Sequence, residues 1–292
     1  MQSQKSFAKN QVSGTLYLVP TPIGNLQDMT FRAVNTLKEV DLIAAEDTRN
    51  TQKLLNHFEI DTKQISFHEY NTRQRVPELV ARLEQGTNIA QVSDAGMPSI
   101  SDPGHDLVVA CIERHITVVP LPGANAGLTA LIASGLAPQP FYFFGFLNRK
   151  PAEQKRQLDR LANKEETLLF YEAPHRLKKT LKNMAAIFGD ERQVVLCREL
   201  TKKFEEFLRG TLNEALTWIE ENEIRGEFVI VVAGNPKPSS QPTESIPELS
   251  IEAQVTNLIS AGKKPNDAIK QVAKLRGLRK QDVYSQYHHL KS

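Results

Sequence analysis

The side chains able to do chemistry gather just beyond apolar runs. Glu46-Asp47-Thr48-Arg49 follows Leu42–Ala45, and Asp94 and Asp102 lie in SDAGMPSISDPG (93–104) after Ile89–Val92. Glu172, His175 and Arg176 close the run Thr167–Tyr171, and Arg198-Glu199, with Lys202 and Lys203, follow Val194–Cys197. Acids and bases gathered this way can bind a ligand or serve a catalytic duty, and by themselves they place a ligand at the strand ends without fixing the reaction. Two other stretches, PTPIGN (20–25) and LPGANAG (121–127), carry no charge and offer backbone N–H and C=O groups instead. Neither GxxxxGK[ST] nor GxGxxG occurs, so a ligand here should be met mainly by neutral backbone groups rather than through a phosphate cradle.

Each candidate has a plainer duty to weigh. Asp102 reads best as the cap of a helix beginning at Pro103. Asp47 serves equally well as a helix cap or a catalytic group, and Lys202 and Lys203 read as a solvated face. Glu46 and Arg49 are harder to dismiss, because an acid at the end of a buried strand needs a partner. Asp94 to Gly96 points to a ligand, since a simple turn needs nothing so elaborate.

Strands expected at Thr15–Val19, Leu42–Ala45, near Ile65, Ile89–Val92 and Ile116–Val119 alternate with amphipathic helices. That pattern argues for a mostly parallel sheet covered on both faces, with ligands at the carboxyl ends of its strands. A second α/β block follows, with strands at Thr167–Tyr171, Val194–Cys197 and Phe228–Val232. The expected organisation is a disordered arm over 1–14, a first α/β domain over 15–137 and a junction over 138–150. A second α/β domain over 151–234, a linker over 235–249 and a basic helical module over 250–292 complete it.

At 292 residues the chain is long enough for two cores, and its overall net charge of +2 says little. The distribution says more. Residues 245–292 hold eight Lys/Arg against four Asp/Glu, a net +4, so the other 244 residues are net −2. Lys263, Lys264, Lys270, Lys274, Arg276, Arg279 and Lys280 belong to a module of three short helices with Lys and Arg on its outward faces, a helix-turn-helix-like pattern suited to nucleic-acid phosphates. Cys111 and Cys197 sit in separate apolar runs, which suits reduced buried thiols and gives no metal spacing. The N-terminal stretch lacks the apolar core of a signal peptide, and prolines interrupt the uncharged run 116–148. The expectation is therefore a cytoplasmic protein with no membrane span.

VPTPIGNLQDMTFRA, AAEDTRNT, SDAGMPSISDPG, PLPGANA, FYEAPHR, CRELTKKFEEFLRG and GEFVIVVAG, in that order from about Thr15 to Gly234, resemble the ribosomal-RNA branch of the tetrapyrrole-methylase-like superfamily. One such motif is weak, and seven in register are strong. The resemblance implies two α/β domains with S-adenosylmethionine folded between them. It also implies a homodimer that methylates the 2′-hydroxyl of a cytidine in the decoding region of small-subunit (16S) rRNA. Carried over by motif, the cofactor contacts are Ile23, Asp94, Gly96, Ser99, Ile100, Asn125, Ala126, Tyr171, Glu172 and Glu227. Corrin and sirohaem methylases of this fold have GxGPGD after the first strand where this chain has PTPIGN, a departure that counts against a tetrapyrrole substrate. The catalytic candidates are Glu46, Asp47, Arg49 and Glu199, with the first cluster favoured. The substrate would be a folded RNA or an assembled 30S particle rather than a bare duplex. A small-molecule methyltransferase and a non-catalytic RNA-binding factor are the alternatives.

Overall fold

The computed structural model describes residues 1–6, 12–236, 250–276 and 278–289. The chain divides into two compact units, Met1–Pro236 and Lys237–Ser292.

The first unit holds two five-stranded sheets. The first, in the order β3-β2-β4-β1-β5, is parallel throughout, with β1 Thr15–Leu18, β2 Leu42–Ala45, β3 Gln64–Ser66, β4 Ile89–Val92 and β5 Thr117–Pro120. β2 and β4 are buried at every position, as near-continuous apolar runs in a two-sided parallel sheet should be. One face packs Leu37 of α1 (Phe31–Glu39) and Leu55 of α2 (Thr48–His57) against Ile43 and Ala90. The other packs Leu79 and Leu83 of α3 (Thr72–Glu84) and Leu107 and Cys111 of α4 (His105–Glu113) against Leu16 and Ile89. Because the strands are parallel, the loops after β1, β2, β4 and β5 all leave the same edge.

The second sheet is mixed, in the order β6-β7-β10-β8-β9. Its strands are β6 Phe141–Phe146, β7 Thr167–Glu172, β8 Gln193–Arg198, β9 Glu206–Thr211 and β10 Phe228–Val232, and only the β6–β7 pairing is parallel. Helices α6 (Pro151–Leu161), α7 (Pro174–Phe188) and α8 (Leu212–Glu221) cover one face. Helix α5 (Ala126–Ser134) covers the other, packing Ala130 and Leu131 on Leu169, Val195 and Val231. The Arg209 guanidinium fixes the end of α5 by donating to the carbonyls of Ala133 and Ser134 at 2.7 and 3.2 Å.

Three expectations change here. The stretch 138–150 is no junction, because β6 lies within it as an edge strand of the second sheet. Between the expected strands Val194–Cys197 and Phe228–Val232 the chain forms a further strand, β9, at the opposite edge. The arm is not free over residues 1–6: the Gln4 side-chain amide donates to the Val118 carbonyl at 2.9 Å and accepts from the Val118 amide at 3.0 Å, occupying the β5 edge at that position. The expected linker lies outside the described residues from 237 to 249.

The second unit has three helices, α9 (Ile251–Ser260), α10 (Pro265–Arg276) and α11 (Lys280–Tyr287). They close on a small core of Val255, Ala268, Ile269, Val272, Ala273 and Val283. Ser250 caps α9 by accepting from the amide of Ala253.

Candidate active site

The loops after β1 and β4 are stitched together. Thr21 and Gly96 exchange backbone hydrogen bonds, each 3.0 Å long, and the Thr21 hydroxyl donates to the carbonyl of Ser93. Gly96 has φ +76°, and a Cβ there would lie 3.3 Å from Ile23 and 3.5 Å from the carbonyl of Ala124, so three loops converge on it. The loops after β2 and β4 are stitched reciprocally. The Asp94 amide donates to Glu46 Oε2 at 3.3 Å, and the Asp47 amide donates to Asp94 Oδ1 at 3.2 Å. Behind the wall, Gln91 is 1% exposed, and its Nε2 donates to the Pro103 carbonyl at 2.7 Å and to Ser99 Oγ at 3.3 Å.

The matching edge of the second sheet faces these loops: the ends of β6, β7 and β8 and the start of β10. Between them lies a cavity of about 350 Å³, large enough for a nucleoside-sized ligand. Its walls include Ile23, Glu46, Asp94–Met97 and Ile100–Asp102 from the first sheet's loops and Asn125–Ala126 at the start of α5. Phe146, Tyr171–Ala173, Cys197, Glu199, Leu200, Lys202 and Glu227–Val229 complete them.

Of the predicted cofactor contacts, nine line this cavity. Ser99 does not; it stands behind the wall on Gln91. Tyr171 is fixed by the Gly127 amide, which donates to its phenol oxygen at 3.1 Å, and burial raises that phenol's pKa. Glu172, 2% exposed, accepts from Thr180 Oγ1 at 2.6 Å and from the Ala173 amide at 2.9 Å, with Arg176 at 3.1 Å. Its carboxylate thereby ties the end of β7 to α7.

Among the catalytic candidates, Glu46 and Glu199 line the cavity and Asp47 and Arg49 do not. Asp47 is the N-cap of α2, accepting from the Arg49 amide at 2.9 Å and pairing with the Arg49 guanidinium at 2.9 Å. That exposed pairing draws the Asp47 carboxyl down to about 2, and the Arg49 side chain is 89% exposed. Glu46 moves the opposite way: burial raises its pKa, and Asp102, Asp94 and Asp47 add to the rise against the Asp94 amide.

Asp102 is the main surprise. The cap of α4 is Gly104, with φ +145°, and Asp102 lines the cavity instead. Burial raises its carboxyl too, with Asp94 adding and a hydrogen bond from Ser93 opposing. The expected cap was misplaced because the chain makes a further turn at Gly104, whose Cβ position is already filled by Gln91 and Ser99. Lys202 was also expected on a solvated face. It lines the cavity and bridges Glu199 and Glu227, each at 3.0 Å. Burial raises Glu199, but the Glu227 amide and Lys202 outweigh it and leave the carboxyl below its ordinary value. Six carboxyl-bearing residues and one lysine thus border the space, a setting that favours a cationic ligand. Among the described residues no group of three or more metal-ligating side chains occurs, and no helix is long and apolar enough to cross a membrane.

In the second unit, Lys263, Lys264, Lys270, Lys274 and Lys280 are exposed. Arg276 donates to Gln254 at 2.9 Å, and Arg279 pairs with Asp282 at 3.0 Å.

Comparison with known proteins places these observations. The family model for Tetrapyrrole (Corrin/Porphyrin) Methylases matches residues 15–216. The chain is 58% identical over 290 residues to a Streptococcus pyogenes protein named ribosomal RNA small subunit methyltransferase I, covering 99% of this chain and all of that one. It is 52% identical over 289 residues to the Bacillus subtilis protein of the same name, covering 99% of each. Among solved structures, the uroporphyrin-III C-methyltransferase of Thermus thermophilus in complex with S-adenosylhomocysteine shares the fold. Its TM-score is 0.55 at 17% identity, over 75% of this chain and 97% of that one.

Proposed function

The chain belongs to the tetrapyrrole methylase family, and from that premise we propose that it uses S-adenosylmethionine to methylate small-subunit rRNA, at the 2′-hydroxyl of a cytidine in the decoding region. The observation that carries the rRNA part of this reading is 52–58% identity over nearly the whole chain to relatives named as small-subunit rRNA methyltransferases. The cavity supports it from a separate direction. The cofactor is a sulfonium cation without phosphate, and here neutral loop backbone and apolar side chains combine with an excess of carboxylates. Glycine at 96, where a side chain would press on Ile23, suits a wall built for close backbone approach.

Ile23, Gly96, Ile100, Asn125 and Ala126 would hold the cofactor from the first sheet's side, and Tyr171, Glu172 and Glu227 from the second; Asp94 holds the loops at Glu46 and Asp47. When bound, S-adenosylmethionine supplies an electrophilic methyl group. The chain's own work is to position the ribose in line, exclude water and accept the hydroxyl proton. Glu46 suits the last task, since a carboxyl with raised proton affinity is a better base than an exposed one. Asp102 shares its surroundings, and Glu199 is held ready by Lys202. Asp47 and Arg49 act from outside the cavity wall, where the arginine can meet phosphate.

The exposed lysines of α10 and its flanks dock the rRNA through phosphates, with Arg276 and Arg279 supporting them. We further propose a cytoplasmic homodimer, which would cover exposed apolar side chains such as Phe31 and Ile132, and an assembled 30S particle as substrate. The test is transfer of labelled methyl from S-adenosylmethionine to purified small-subunit rRNA or 30S particles, set beside a metabolite extract. Label confined to the extract would sink the proposal.

A further inference from the structure

Strand β6 contains an irregularity that changes what faces the cavity. Phe143 pairs with Leu169, but the register then slips, so that Gly145 pairs with Phe170 and Phe146 with Tyr171. Phe144 is the extra residue, and it turns to the helix-covered face, 5.6 Å from the Phe170 ring. In an unbroken strand Phe146 would share the face of Phe144. The bulge, with Gly145 at φ +77°, moves it to the face of Phe143 and Tyr171, which is the cavity side. There the Phe146 ring meets Tyr171 edge-on at 5.5 Å, lines the cavity and still remains 54% exposed. With Ile100, also exposed on the cavity wall, it forms an apolar rim of the kind that marks a ligand-binding groove.

Two other observations say what the occupant is. Across the mouth, the loop that follows β4 approaches β6, with Ser101 Oγ 4.0 Å from the Cβ position of Gly145. The neighbouring Ile100 is 57% exposed on the same cavity wall. Three and four residues after Phe146 in the chain, Arg149 and Lys150 are exposed before α6, and among the described residues neither forms an ion pair. An exposed ring at the cavity mouth is thus followed within four residues by two exposed positive charges.

We propose that Phe146 is the platform on which the unpaired base of the target nucleotide stacks, with Arg149 and Lys150 holding the adjoining phosphates. This rests on the RNA-methylation reading and adds what selects and orients the nucleotide. Base–aromatic stacking is tolerant of sequence and strong enough to hold a splayed nucleotide, and phosphate contacts fix its register.

The experiment uses the full chain, labelled S-adenosylmethionine and 30S particles carrying unmethylated rRNA. Phe146→Ala should raise the KM for RNA about tenfold or more, the scale of one lost stack. The affinity for S-adenosylhomocysteine, read by calorimetry, should fall by a smaller factor than the KM for RNA rises. Phe146→Tyr should restore most of the loss, which a merely structural position would not require. Arg149→Ala with Lys150→Ala should weaken RNA binding and reduce the salt slope by about one to two. An unchanged KM in Phe146→Ala overturns the platform, as does a change in particle mass by light scattering, which would make this face a contact between copies. A wild-type chain that methylates no RNA overturns the underlying functional reading, and that control is seen before any variant is made.

Discussion

Replacing Gly104 by alanine tests whether the loop 93–104 is held from behind by a buried amide. The added Cβ would lie 1.9 Å from Gln91 Nε2 and 2.2 Å from Ser99 Oγ, both inside any tolerable contact. Gln91 would have to withdraw from the Pro103 carbonyl and from Ser99, leaving a buried amide unpaired at roughly 1–3 kcal/mol. The backbone at φ +145° adds roughly 1–3 kcal/mol for a residue with a side chain. Together these come to about 2–6 kcal/mol. At roughly 2–4 °C per kcal/mol for a unit of this size, the melting temperature should fall by about 4–24 °C. Gly135→Ala is the matched control. It also sits at positive φ, +83°, but its Cβ position has nothing within 4 Å, so only strain of about 1–2 kcal/mol remains. Calorimetric scans of both variants decide the matter, with cofactor binding measured below the transition. If Gly104→Ala melts within a degree or two of Gly135→Ala and binds S-adenosylhomocysteine normally, the proposed lock on the loop is wrong.

Other consequences follow from the site. Glu46 has a raised carboxyl, so it is a strain on the fold that appears as pH rises through that group's folded pKa and vanishes below its unfolded value. Glu46→Gln should therefore raise the melting temperature at pH 8 and leave it unchanged near pH 4, while cutting methyl transfer by at least tenfold. In the wild type, transfer should fall as pH drops through the same raised pKa. Lys202→Met leaves Glu199 and Glu227 without their shared cation, so titration of Glu199 followed by NMR should shift upward. Both thiols are pushed up to about 12 by burial, and thiol-specific reagents at pH 8 should leave Cys111 and Cys197 unmodified until the protein unfolds. Removing residues 245–292 should weaken RNA affinity and flatten its salt dependence while sparing S-adenosylhomocysteine binding, as read by filter binding across a salt series.

The first sheet was legible because each of its strands is a short apolar run closed by turn residues, and parallel pairing then puts all the loops at one edge. The two edge strands of the second sheet were not. β6 is uncharged, aromatic and bounded by prolines and a bulge, which disguises alternation as linker. β9, EFLRGT, is partly polar and nowhere fully buried, so it offers little apolar signal. The loops that line the cavity were readable through their glycines and lack of charge. Asp102 and Lys202 were hidden for a different reason. Their local sequence fits a cap and a solvated face, and only the long-range approach of Gln91 to Gly104, and of Glu227 to Glu199, turns them toward the cavity. Asp47 shows the converse, because its capping duty was visible in the sequence and the structure places it in that role.

The most direct test of the account is nucleoside mass spectrometry of small-subunit rRNA after incubation with the wild-type chain and isotopically labelled S-adenosylmethionine. The account predicts label in a single 2′-O-methylcytidine from the decoding region, with Glu46→Gln sharply reduced in parallel. Label on a base carbon or nitrogen, on another nucleotide, or absent from RNA altogether would contradict it.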